Sequence, residues 1–214
     1  MEQQGLVHIV DDDLSIQRAL DSLLRSVGLE ARSYGSCGEF LATKMPAQPS
    51  CLILDVRLPG VSGLDFQSQM ASHGISLPVI LMTGHGDIPM SVKAMKAGAV
   101  DFLTKPFRDQ DLLDAVTTAI ERDTAAREEE GQLQAIIDLY DALTEREQQV
   151  MDLVTMGRLN KQAAFDLGLS EITVKIYRAS AMKRMQARTL PDLVKMAEAL
   201  RAVGHLRPVT PGEA

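Results

Sequence analysis

Tryptophan is absent from the 214 residues, and all aromatics together make up 4% of them. A core must therefore be filled by Leu, Ile, Val and Met, for which a hydrophobic fraction of 45% suffices. Cysteine is limited to Cys37 and Cys51. One opens a helix-like stretch and the other a strand-like one, so both read as reduced core thiols, not a disulfide framework. No zinc-ligand spacing is present. No segment approaches the ~20 apolar residues of a membrane helix, and the N-terminal stretch has no signal-peptide pattern. The expectation is a soluble, cytoplasmic protein that meets no membrane. The length suits one or two domains.

A uniform charge is also missing. The net charge is −7, but residues 1–125 hold 16 acidic against 10 basic side chains, residues 126–142 hold 5 against 1, and residues 143–214 hold 8 against 11. An acidic front and a mildly basic tail imply separate tasks, the tail facing a polyanion.

What the chain does have is a series of short apolar runs, each ending in a polar residue. Leu6–Val10 is followed by Asp11 and Asp12, and Cys51–Leu54 is closed by Asp55. Pro78–Met82 leads to Thr83, and Phe102–Thr104 leads to Lys105. Such runs read as buried strands of a parallel sheet. Helix-like stretches separate them, at 14–27, about 36–45, 64–72, 91–97 and from 109 onward, and a short strand candidate lies at 30–34. Alternating strands and helices with right-handed crossovers predict a doubly wound α/β sheet of five parallel strands and five helices. In the flavodoxin-like order the first and third strands are neighbours, which places Asp11, Asp12 and Asp55 side by side at the carboxyl edge, where ligands bind.

Those residue types point to phosphoryl chemistry. Asp55 is the candidate nucleophile, since a carboxylate that attacks phosphorus forms an acyl phosphate. Asp11, Asp12 and Asp55 offer hard oxygen ligands to Mg²⁺. Lys105 can pair with a phosphoryl oxygen as a point charge, and Thr83 can donate a hydrogen bond to another. Single residues also have plainer readings: Asp13 as a helix N-cap, Lys105-Pro106 as a turn. Four strand ends meeting that pattern together outweigh them.

The helix from Asp109 meets no strong breaker except Gly131 until about Asp141. Leu112, Val116, Ala119, Asp123, Ala126, Glu130, Leu133, Ile137 and Tyr140 recur along it at heptad-like spacings with two acidic interruptions. Both a solvated connector and a dimerising or signal-bearing helix fit. Beyond it, Thr144 with Glu147 makes a capping box, and stretches near 145–156, 161–166, 171–186 and 190–202 predict an all-α unit of four helices. The second and third read as helix-turn-helix. Basic residues near the start of the third can enter a major groove, with Lys175, Ile176, Arg178, Ala179 and Lys183 off its inward stripe and Asn160 and Lys161 opening the preceding helix.

Residues 5–125 resemble the receiver domain of bacterial two-component response regulators. The match rests on Val10-Asp11-Asp12, Leu54-Asp55, Leu58-Pro59-Gly60 followed by Ser62-Gly63, Met82-Thr83-Gly84, Gly98-Ala99-Val100-Asp101-Phe102 and Lys105-Pro106-Phe107. Thr83-Gly84-His85-Gly86-Asp87 with Ala94-Met95-Lys96-Ala97-Gly98-Ala99 is similar to the FixJ-type subgroup. The resemblance implies that Asp55 accepts phosphate from a sensor histidine kinase, that the Arg57 backbone carbonyl completes the metal shell, that the Lys105-Pro106 bond is cis, and that Thr83 and Phe102 form a switch. Residues 143–205 resemble the LuxR-type (NarL/FixJ) DNA-binding domain through Leu143–Glu147, Gly157, Asn160–Ala164, Leu167–Ser170 and Thr173–Lys175. That match adds Thr173 to the DNA contacts and implies a dimer contact on the last helix. Tyr177 stands where the family usually has histidine, and Ala163–Phe165 depart from its pattern, which bears on sequence preference.

The expected organisation is a receiver over 1–122, a helical linker over 123–142, a helix-turn-helix domain over 143–207 and a frayed tail over 208–214. The expected function is a phosphorylation-activated transcription regulator that uses Mg²⁺, forms a homodimer on activation, binds double-stranded promoter DNA and engages RNA polymerase. Its only catalysis is its own phosphorylation and slow dephosphorylation at Asp55. The alternatives are a DNA-binding regulator that ignores phosphorylation and a phosphatase using Asp55 as a turnover nucleophile.

Overall fold

The computed structural model describes residues 5–84 and 88–206; the motif residues His85–Asp87 and the tail from 207 onward lie outside them. Contacts divide the chain into two compact units, the first ending at Arg127 and the second beginning at Glu128.

The first unit holds strands β1 (Leu6–Val10), β2 (Glu30–Tyr34), β3 (Ser50–Asp55), β4 (Val79–Thr83) and β5 (Asp101–Thr104). They form one sheet in the order β2-β1-β3-β4-β5, every pair parallel. The expected doubly wound topology is therefore present, with β1 and β3 adjacent. Val10 lies level with Leu54, and Asp55 with Met82. The interleaved helices are α1 (Leu14–Ser26), α2 (Cys37–Leu41), α3 (Gly63–Gln69), α4 (Ile88–Lys96) and α5 (Asp109–Asp141).

Successive strand side chains point to opposite sheet faces, and the cores follow that alternation. Val7, Ile9, Ile53, Ile80 and Met82 join Leu20, Leu24, Leu112 and Val116 of α1 and α5. Val10, Leu52, Leu54 and Leu81 join Phe40, Leu64, Phe66 and Ala94 of α2, α3 and α4. Both cysteines are free and buried.

Several helix ends differ from the sequence expectation. α2 stops at Leu41, with Ala42 as its C-cap, rather than near residue 45; a continuation that far would in any case meet Met45, which precedes Pro46 and disfavours helical geometry. α3 ends at Gln69 and tightens into a 3₁₀ turn over Met70–His73, closed by Gly74 at φ 70°. α4 starts three residues early, at Ile88, with Pro89 in its first turn, where a missing N–H costs nothing.

In the second unit the last turns of α5 pack Tyr140, Ile136 and Ile137 against α6 (Glu145–Thr155), α7 (Asn160–Asp166), α8 (Glu171–Arg184) and α9 (Leu190–Ala202). Thr144, Ser170 and Thr189 each cap the helix that follows. The core is aliphatic, built on Val150, Met151, Val174, Ala181, Leu193 and Leu200. Along α5, Leu112, Val116, Ala119 and Asp123 are buried in the first unit and Tyr140 in the second, whereas Ala126 and Glu130 are exposed. The heptad-like pattern is thus used at its ends by cores within the chain. Among the described residues no helix is long and apolar enough to cross a membrane.

Candidate functional site

Each strand end delivers its polar residue to the carboxyl edge of the sheet. Lys105 follows β5 and reaches back over the edge. Its Nζ donates to Asp11 Oδ2 and to Asp55 Oδ1, both at 2.7 Å. Residues 94 and 50 positions apart in sequence thus meet at one ammonium. Asp11 and Asp55 are almost wholly buried, and Lys105 is about one-fifth exposed. Burial alone would lower the Lys105 pKa, but hydrogen bonds and charge from both carboxylates outweigh it and hold the ammonium above its usual value. The Lys105-Pro106 peptide is cis.

The free oxygens of the two carboxylates are also held. Asp55 Oδ2 accepts from the Arg57 N–H at 2.7 Å, and Asp11 Oδ1 from the Asp13 N–H at 2.9 Å. Asp12 is exposed beside them. Among the described residues no three acidic, imidazole or thiol side chains already converge as a metal cage. Two carboxylates on one cation, with a third next to them and the Arg57 peptide following Asp55, form a donor set of the hard-oxygen kind that suits Mg²⁺. An open groove lined by Asp12, Arg57, Pro59, Ser62 and Met90 lies alongside. Thr83 is fully buried at the end of β4. Phe102 is partly buried and packs against the core cluster that contains Leu81 and Ala94.

One supporting residue escaped the sequence reading, and another was seen without its role. Gln17 is buried in α1 and its Nε2 donates to the carbonyls of Asp11, at 2.6 Å, and Tyr34, at 3.2 Å, pinning the ends of β1 and β2. Its signal was positional: it shares a helix face with Leu20 and Leu24. Gly63 opens α3 so close to β3 that a Cβ there would sit 2.3 Å from the Asp55 carbonyl oxygen. In the sequence it stood only as a member of the Ser62-Gly63 motif, with no role attached.

In the second unit the proposed DNA-facing residues share two helices. Lys161 of α7 and Lys175, Ile176, Ala179 and Lys183 of α8 are exposed; Asn160, Thr173 and Arg178 are half-buried. Arg178 donates to Asn160 Oδ1 at 3.3 Å, joining the two helices. Lys175 pairs with Glu171 one turn earlier at 3.0 Å. Ser170 Oγ caps α8 by accepting from the Thr173 N–H. Glu147 of α6 fixes the far end of α8, accepting from Ser180 Oγ at 2.5 Å and Arg184 Nη1 at 2.8 Å. Those bonds, first Ser180 and then the Thr144 peptide, pull its carboxyl down to about 2. Sequence reasoning saw only the capping role of Glu147.

Comparison with known proteins covers both units. The model for "Response regulator receiver domain" matches residues 7–117, and that for "Bacterial regulatory proteins, luxR family" matches residues 141–197. Nodulation protein W of Bradyrhizobium diazoefficiens is 56% identical over 197 residues, covering 92% of this chain and 87% of that protein. The solved structure of the response regulator StyR is similar with a TM-score of 0.78 at 43% identity, covering 91% of this chain and 98% of that one. Full-length FixJ from B. japonicum gives 0.54 at 35% identity, covering 94% and 98%.

Proposed function

Since this chain belongs to the response regulators that join a receiver domain to a LuxR-family DNA-binding domain, and is thereby a phosphorylation-activated transcription regulator with a histidine kinase and DNA as partners, we propose that Asp55 is its phosphoacceptor. The observation that carries the assignment is the single ammonium of Lys105 held at 2.7 Å by both Asp11 and Asp55.

In the proposed step Asp55 Oδ attacks phosphorus. The bond from phosphorus to the donor's nitrogen or oxygen breaks, and its electron pair leaves with the donor. Asp11, Asp12, Asp55 and the Arg57 carbonyl would hold Mg²⁺, which supplies charge neutralisation at the phosphoryl oxygens. The Arg57 N–H, bonded to Oδ2, orients the Asp55 carboxylate. Lys105, already bonded to Asp55, stays with the new phosphoryl group as its counter-charge. Thr83 donates its hydroxyl to a phosphoryl oxygen, and Phe102 follows it inward, completing the switch. The two states differ in these contacts, and that difference in free energy is what phosphorylation can use to shift the equilibrium. Activation pairs two chains, and the pair binds promoter DNA through Asn160, Lys161, Thr173, Lys175, Ile176, Arg178, Ala179 and Lys183 and engages RNA polymerase. We take 1–122 as the receiver, 123–142 as linker and 143–207 as the DNA-binding domain.

The test is covalent labelling. Incubation with ³²P-acetyl phosphate and Mg²⁺ is expected to label the wild-type chain with one alkali-labile phosphate, and the Asp55→Asn variant not at all. Equal label on the variant overturns the assignment. Repeated turnover of small phosphate esters by the wild type would favour a phosphatase instead.

A further inference from the structure

The cations of α8 have a role on duplex DNA, but its outward face is apolar at the centre. Ile172 and Ile176 are 70% and 63% exposed. Four residues apart, they lie one above the other on the helix. The opposite side is the buried one, carrying Val174 and Ala181. Ala179 and Lys183 continue the Ile172–Ile176 stripe by helical periodicity, and Lys175 flanks it; all three are exposed. The face is therefore two branched apolar side chains and a methyl, edged by ammonium groups.

That pattern suits one kind of surface. A major groove has phosphates along its rims and, at each A·T pair, a thymine C5-methyl on its floor. Cations at the edge meet the rims while apolar side chains meet the methyls. A second copy of the same face would bring Lys175 and Lys183 against their own counterparts, which like-charge repulsion opposes. The helix is held for such insertion: Ser170 caps its start, and Glu147 grips Ser180 and Arg184 on its later turns.

We infer that Ile172 and Ile176 read thymine methyl groups, so that each operator half-site carries thymine at two nearby positions facing this stripe. The inference rests on α8 being the recognition helix and adds to it a base preference and a residue, Ile172, that no motif singled out.

The experiment uses the full-length protein with acetyl phosphate and Mg²⁺. Duplexes are first selected from a randomised pool. Each thymine of the recovered site is then replaced in turn by uracil, which removes only the methyl. Affinity should fall about fourfold at two positions, the equivalent of one buried methyl each. Ile172→Ala and Ile176→Ala, both changes at exposed positions, should each abolish the uracil penalty at one of them while keeping the melting temperature. Equal binding of thymine and uracil duplexes throughout, or a recovered site without thymine there, overturns the inference and leaves DNA binding intact. Alanine variants that lose dimer mass without DNA, yet keep the uracil penalties, assign the stripe to a second copy and overturn it too. Failure of the wild-type protein to retain any duplex would remove the recognition-helix reading, and this inference with it.

Discussion

Asp55 is fixed by two donors that come from different places. The Arg57 N–H arrives from the same turn, whereas Lys105 arrives from another strand end. Such convergence was legible because each apolar run stops at its polar residue, and a parallel sheet brings all carboxyl ends to one edge. What closes the site around them was not. Gln17 reads as an ordinary amphipathic-helix residue until its amide is seen bonded to the Asp11 carbonyl. Gly63 reads as one member of a motif until the backbone distance is known. At Gly63→Ala the added methyl meets the Asp55 carbonyl oxygen at 2.3 Å, and Val56 Cα at 3.1 Å. Both are backbone atoms with no rotamer to escape into, so the end of β3 must move. The expected cost is about 1–3 kcal/mol, as for other overpacked sites, together with slower accumulation of phosphate on Asp55. Urea denaturation and acetyl phosphate labelling read the two effects; an unchanged midpoint with unchanged labelling would show that the turn tolerates a side chain.

Elements were most legible where capping chemistry marks their starts. Asp13 and Thr144 accept hydrogen bonds at the helix starts expected of them, and Ser170 and Thr189 do the same at the starts of α8 and α9. Helix ends followed prolines and glycines only loosely, because tightening into a 3₁₀ turn or an early stop costs little locally. Glu147 shows what capping logic alone misses. The carboxylate that closes the box with Thr144 also binds Ser180 and Arg184 across the core, so one side chain ties α6 to α8. Its pKa lies near 2 when folded against an ordinary 4.5. A depressed carboxyl stabilises the fold above the unfolded pKa and loses that contribution as pH falls through the folded one. The wild-type DNA-binding unit should therefore lose stability between about pH 4.5 and 2. Glu147→Gln should melt lower at pH 7 and approach the wild type as the pH drops through that window. Parallel melting curves down to pH 2.5 would sink the network's importance.

At the scale of the whole molecule, a chain of net charge −7 that binds a polyanion has to do so locally. The basic excess sits in residues 143–214, and the proposed phosphoacceptor, Asp55, is near the middle of the acidic front. Affinity and its regulation are then written in different residues, and two substitutions should separate them. Lys175 is an exposed cation, paired with Glu171 one turn earlier. Lys175→Ala should weaken binding to all duplexes alike and reduce the slope of log affinity against log salt by about one, since one fewer counterion is released. That loss should be the same with and without acetyl phosphate. Asp55→Asn keeps the shape of the side chain and lies outside the proposed set of DNA-facing residues. It should leave the salt slope and basal affinity of the unphosphorylated chain unchanged and abolish only the gain brought by the phosphodonor. Because the two act on separate terms, the double variant should bind as the Lys175→Ala chain does without phosphodonor. Gel-shift titrations at four salt concentrations measure every term. If Asp55→Asn lowered affinity before any donor was added, the carboxylate would be holding the resting fold together, and its loss could not be read as a loss of signal.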